Sequence, residues 1–212
     1  MREAVEVPAG RVFGTWALLL TTVAALGVAL IGTPTGRQAL VDERVRMVEA
    51  VGGVVDDAAY ARWQAAPPYG VYATSGGRVP LLPVITLAVA AALAAGPGRG
   101  RGFIRSLSVT VHASVVLVLQ QVIALPLHLV RESLASPFNI GVVLPWFDEG
   151  TLPARVLGSV EVFGLWWVAL LAFGCAALSG LPARRYLGPL AGVYAGVAVL
   201  VAGVVLALNG GS

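Results

Sequence analysis

Residues 158–179, GSVEVFGLWWVALLAFGCAALS, form an apolar run that carries a single acid, Glu161, near its start. Roughly 20 apolar residues at 1.5 Å rise cover the hydrocarbon core of a bilayer, so the run is long enough to cross one as a helix. An acid on such a helix has to face protein or water and not lipid, which restricts the fold more than any other residue of the chain. On a helix Glu161 lies close to the angular position of Gly164, Ala172, Cys175 and Ser179, while Phe163, Trp166, Leu170 and Phe173 fall on the other side. Membrane helices pack along their small-residue faces, so Glu161 is expected to look into a helix bundle.

Composition agrees with a membrane location. Hydrophobic residues make up 58% of the chain and charged residues 12%, about half the usual quarter, with a mean hydropathy of +0.84. An ordinary soluble domain is excluded, and an integral, multi-pass membrane protein is expected. The formal charge of +3 comes from arginine alone, with no lysine. These arginines read as helix-orienting residues and not as a nucleic-acid surface. The single cysteine, Cys175, lies in an apolar run, so neither an intrachain disulfide nor a cysteine metal cage can form.

Taken in order, the chain reads as an all-α bundle of one domain with five spans, at about 12–31, 79–95, 106–130, 160–179 and 187–208. The first has a rival reading as a signal peptide with Ala25-Leu26-Gly27 as the cleavage site, but its length of about 20 residues exceeds an h-region of 7–15. Between the first two spans, residues 33–78 hold a large share of the charges and are expected to form a helical insertion. Thr35 and Gln38 have capping-box spacing. After them Val41, Val45, Val48 and Gly52 follow one helical face, and Asp42, Glu43, Arg46 and Glu49 the other, as in an amphipathic helix lying at the interface. A second helix, about 56–66, would start at Asp56 as N-cap, carry Trp63 as an interfacial anchor and end at Pro67-Pro68. The insertion reads as a connector that caps the bundle, with a ligand lid as the sharper alternative.

The second span has Pro80 and Pro83 in its first turns, where a missing N–H costs little. The third is long enough to need a tilt or a kink, and Pro126 is the expected kink. Trp146 and Phe147, in the loop after it, suit the headgroup region. In the last span Gly188, Gly192, Gly196 and Gly203 form a stripe expected to admit a neighbouring helix closely.

The arginines predict the orientation. Arg2 and Arg11 in the tail, and Arg99, Arg101, Arg105, Arg184 and Arg185 in the short turns, all fall on one side of a five-span chain. That side is the cytoplasmic one. The N-terminus is then inside, and the 33–78 insertion, the 131–155 loop and the C-terminus are outside.

The Ser159–Trp166 pattern, Ser-Val-acid-Val-Phe-x-x-Trp, followed by Leu-Leu-Ala-x-Gly over 170–174, resembles the fourth membrane span of the Yip (Ypt-interacting) family, in its bacterial branch. Family members usually have Asp where this chain has Glu161, a departure that keeps the charge. The resemblance implies five spans, a helical insertion after the first, and a place in the cell's inner membrane. It further implies a non-enzymatic, membrane-organising role, since eukaryotic relatives act in vesicle trafficking with Rab-type GTPases.

The third span carries the most polar side chains. Ser114, Gln121 and His128 are seven apart and form one stripe, suited to interhelical hydrogen bonding or to proton or substrate handling. Glu161 joins them as the fourth member of a candidate intramembrane cluster. It is expected beside His128, near the outer interface, because consecutive antiparallel helices pack together. His112 and His128 lie about 24 Å apart on one helix, so no shared metal site is expected. No HExxH, GxSxG or strand-borne GxGxxG is present. The expectation is therefore no catalytic residue, cofactor or metal, with the lipid bilayer, other membrane proteins or a second copy as partners and no nucleic acid. A small transporter or permease subunit built on Glu161 and the polar third span is the alternative.

Overall fold

A computed structural model of the chain describes residues 8–50, 52–67, 78–95, 102–143 and 151–209. Its described part is helical: α1 (Ala9–Ile31), α2 (Pro34–Ala50), α3 (Asp57–Ala65), α4 (Arg78–Ala95), α5 (Phe103–Arg131), α6 (Ile140–Val143), α7 (Leu152–Ser159), α8 (Val162–Ser179) and α9 (Arg184–Asn209). There is no strand among the described residues, only an isolated antiparallel bridge between Asn139 and Glu161.

Among the described residues four helices are long and apolar enough to cross a membrane: α1, α5, α8 and the Arg184–Val204 part of α9. Helix α4 contributes a shorter apolar stretch, Leu82–Ala95. The described residues are thus those of a helical membrane protein with four candidate spans among them, and α4 is the helix on which a five-span count depends. The arginine turn at 96–101, with Arg99 and Arg101, lies outside the described residues, as do Arg2, Pro68, Trp146, Phe147 and the last three residues.

Helix α5 is the hub. It packs on α1 and α4 on one side and on α8 on the other, while α9 packs on α8. The centre of the first contact is apolar, with Val12, Leu19 and Val23 of α1 meeting Leu82 and Ala90 of α4 and Leu107, Val111 and Val118 of α5. One polar clasp joins α1 to α4 there, where Trp16 Nε1 donates to Thr86 Oγ1 at 3.1 Å and the fully buried Thr86 hydroxyl donates back to Leu82 O. On the other side the closeness of α8 to α5 depends on Gly174, since a Cβ there would overlap the Val109 side chain.

The insertion forms a small second layer over one end of the bundle. Its first helix is capped by Thr33, whose hydroxyl accepts from Gly36 N at 3.0 Å, and not by the expected Thr35, which lies inside α2. Gly36 is fixed by the same turn, because a Cβ would overlap Leu30 O. Asp56 does cap α3, accepting from Ala59 N at 2.6 Å. Ile31, Leu40 and Val41 form a satellite core with Tyr60, Trp63 and Leu134, and the Arg44 guanidinium sits 4.5 Å from the centre of the Trp63 ring. Arg46 pairs with Glu43 and also donates to Ser133 Oγ at 3.1 Å, which fastens α2 to the end of α5.

Pro126 lies inside α5 without ending it. The helix stops at Glu132, in the left-handed region at φ 52°. Ser133 N then donates to His128 O, and His128 Nδ1 donates to Ser133 O at 2.8 Å.

An intramembrane acid and its cavity

Glu161 is not on the first turn of α8 but is its N-cap, with extended backbone at φ −101° and ψ 141°. An N-cap acid ordinarily turns its oxygen onto the helix's own free N–H groups. Here the carboxylate makes no such bond and reaches across to α5, where Gln120 Nε2 donates to its Oε2. Backbone groups at this helix start are satisfied from elsewhere. Glu161 N donates to the Tyr194 hydroxyl of α9 at 3.2 Å, and Val162 N to Phe138 O at 3.0 Å. The Phe138 ring also stands edge-on to Phe163, 5.1 Å between centres. Gly164 makes room for this arrangement, because a Cβ would come within 2.7 Å of Tyr194 Cζ.

The inward face of α8 consists of Gly164, Val168, Leu171, Ala172 and Cys175, the small-residue side on which Glu161 was expected. Its level along α5 differs from the expectation, because it meets Gln120 and not His128. Gln120 is 17 residues from the start of α5 and 11 from its end, about 25 Å and 16 Å along the axis. Val23, which lines the same cavity, is about 12 Å from the nearer end of α1. The acid therefore stands level with inner turns of α1 and α5, away from the ends of both helices. Before it in the chain, α6 packs on α7 and α7 on α9.

A half-open cavity of about 250 Å³ lies here between α1, α4 and α5. Val23, Leu82, Ile85 and Leu117 form its walls, and Glu161, Gln120 and Gln121 its polar end. Of the expected cluster, Glu161 and Gln121 meet in this cavity. Ser114 does not join them, since its buried hydroxyl donates to Thr110 O within α5 at 2.8 Å. His128 does not either: its ring closes the end of α5, and Gln120, two turns earlier, holds the position beside Glu161 that the sequence assigned to it.

Gln120 and Tyr194 are the residues the sequence reading passed over. Gln120 is 2% exposed and lies on a helical line with the buried Ala113 and Ala124. A polar residue between two alanines was the available signal for a helix seam, and the seven-residue spacing of Ser114, Gln121 and His128 drew attention one position away from it. Tyr194 had no signal beyond its isolation in an apolar span.

Among the described residues no neighbour packs closely on the glycine stripe. Gly188, Gly192 and Gly196 are exposed, Gly203 is half-buried, and a Cβ on any of the four meets nothing within 4 Å. Helix α9 instead turns Tyr194, Ala198 and Ala202 inward, a rotation consistent with the Tyr194 hydroxyl bond to Glu161 N. No cluster of metal-ligating residues occurs among the described residues. No protein-family model, curated protein or solved structure matches the chain.

Proposed function

We propose that this chain is a non-enzymatic, five-span protein of the inner membrane that organises the bilayer or its protein partners, the role the Yip resemblance implies. The observation that carries this reading is how the polar side chains of the spans are used. Thr110 and Ser114 bond to carbonyls of their own helix, His128 to the end of α5, Trp16 to Thr86 and Gln120 to Glu161. Buried apolar side chains form the core shared by α1, α4 and α5, the Trp16–Thr86 and Gln120–Glu161 bonds tie helices together, and Thr110 and Ser114 are spent within α5, a pattern that supports a structural bundle. In the five-span arrangement α4 crosses too, its 18 residues reaching about 27 Å against a core of about 30 Å. The N-terminus is then cytoplasmic and the insertion outside.

Single-cysteine variants made after replacing Cys175 test the topology. Arg184→Cys should label from the cytoplasmic side and Gln64→Cys from the other, and labelling of both from one side overturns the orientation. Reconstitution in vesicles tests the role, with no ion or solute flux expected above empty vesicles. A permease subunit is the second reading, favoured by the cavity that places Glu161 and Gln121 together. Flux that Glu161→Gln abolishes while the fold is kept would establish it in place of the first.

A further inference from the structure

The Glu161 carboxylate is only half used. Oε2 accepts from Gln120, while Oε1 has no donor among the described residues. The single ion pair between described residues is Arg46–Glu43, in the insertion, and Glu161 forms no ion pair among the described residues. Gln121 faces the same cavity, and its amide has no hydrogen-bond partner among the described residues. A charge removed from water is costly unless it is paired, and an amide left unpaired in an apolar setting adds to that cost. Around these groups the cavity is hydrocarbon, from Val23, Leu82, Ile85 and Leu117.

We infer that this cavity binds a small amphiphilic amine in its protonated form, the ammonium on Glu161 Oε1 and the Gln121 carbonyl, the short apolar chain against Val23, Leu82 and Ile85. An ammonium has three donors and no acceptor, which matches a free carboxylate oxygen and an amide carbonyl. An alcohol would leave the carboxylate charge uncompensated, and an anion would be repelled. Metal ions are disfavoured because one carboxylate and apolar walls supply too few oxygen ligands. The size fits a short chain, since about 250 Å³ is below the range of about 300–1,000 Å³ that holds drug-sized ligands. Access is lateral, past Ile85, which is exposed on α4. The same ammonium chemistry belongs to a free solute and to a lipid headgroup, and the choice of lipid in the test separates the two. The site needs the long helices to lie in a bilayer and does not depend on the organising role.

The test is thermal unfolding of the full chain in phosphatidylcholine nanodiscs with hexylamine, 1-hexanol or hexanoate. Hexylamine at about ten times its Kd should raise Tm by about 3 °C, and the alcohol and the acid by less. Glu161→Gln should remove the preference for the amine. Ile85→Trp, which fills the cavity from its mouth, should abolish the response without lowering the Tm of the unliganded protein, and it serves also if Glu161→Gln does not fold. Equal shifts with hexylamine and hexanol, or a hexylamine shift that survives Ile85→Trp, overturn the proposal. In phosphatidylethanolamine nanodiscs a persisting response supports a free amine as the ligand; its loss by competition supports a headgroup amine at the same site.

Discussion

Replacing Gly164 with valine tests the junction that places Glu161. A Cβ at 164 overlaps the Tyr194 hydroxyl and comes within 2.7 Å of its ring, and valine adds two further carbons against a side chain held by Glu161 N. Overpacking of this kind costs about 1–3 kcal/mol, and the gain in helix propensity from glycine to valine offsets only about 0.4 kcal/mol. A net loss of about 1–2.5 kcal/mol remains, or a Tm lowered by about 2–10 °C at the 2–4 °C per kcal/mol usual for a chain of this size. Thermal unfolding followed by tryptophan fluorescence in detergent reads it directly. Tyr194→Ala removes the obstruction, so the double variant should be less damaged than the sum of the two, with a coupling of about 1 kcal/mol or more. Gly192→Val is the control, since its Cβ meets nothing within the chain, and it should leave Tm unchanged. An unchanged Tm for Gly164→Val, or strictly additive losses with Tyr194→Ala, refutes the packing argument.

Glu161→Leu should lower Tm more than Glu161→Gln, because leucine leaves the buried Gln120 amide unpaired at about 1–3 kcal/mol while glutamine still offers an acceptor; equal losses would remove the Gln120 bond from the account. Asp56→Ala should cost about 1 kcal/mol through loss of the α3 cap, seen as faster hydrogen exchange over 57–60 with the bundle unaffected. Trp16→Phe should destabilise the contact of α1 with α4 by about 1 kcal/mol, measured as a lower Tm, and a Thr86→Val partner should add little to it.

What the sequence disclosed and what it hid divide along the range of the signal. Apolar runs long enough to span, the Asp56 cap and the small face of α8 are local features, and all three are present in the structure. The Thr33 cap lies two residues before the expected Thr35 because a capping box is read from spacing, while the chain turns where Gly36 lets it approach Leu30. The rotation of α9 was not legible. A stripe of glycines and a face of Tyr194, Ala198 and Ala202 are equally good helix seams by size, and the choice fell to one hydroxyl bond to a backbone N–H on another helix. Gln120 and Gln121 are neighbours in sequence but about 100° apart on the helix, so only the direction of α8 could say which of them meets the acid.

The level at which Glu161 meets α5 follows from that same tertiary choice, and it sets the partners of the carboxylate. An acid at the start of a helix ordinarily complements the helix dipole. Here α8 begins opposite the middle of α5, its first N–H groups are taken by Tyr194 and Phe138, and the carboxylate is left to find partners in the cavity. Two amides from consecutive positions of α5 approach that end of the cavity, yet only one reaches the acid. Gln120, buried and bonded, holds α5 against α8; Gln121, one position on, faces the cavity with no partner for its amide among the described residues. The pair thus separates two tasks at a single level of the bundle, fastening the helices on one side of the carboxylate and leaving its other oxygen presented to whatever enters between α1 and α4.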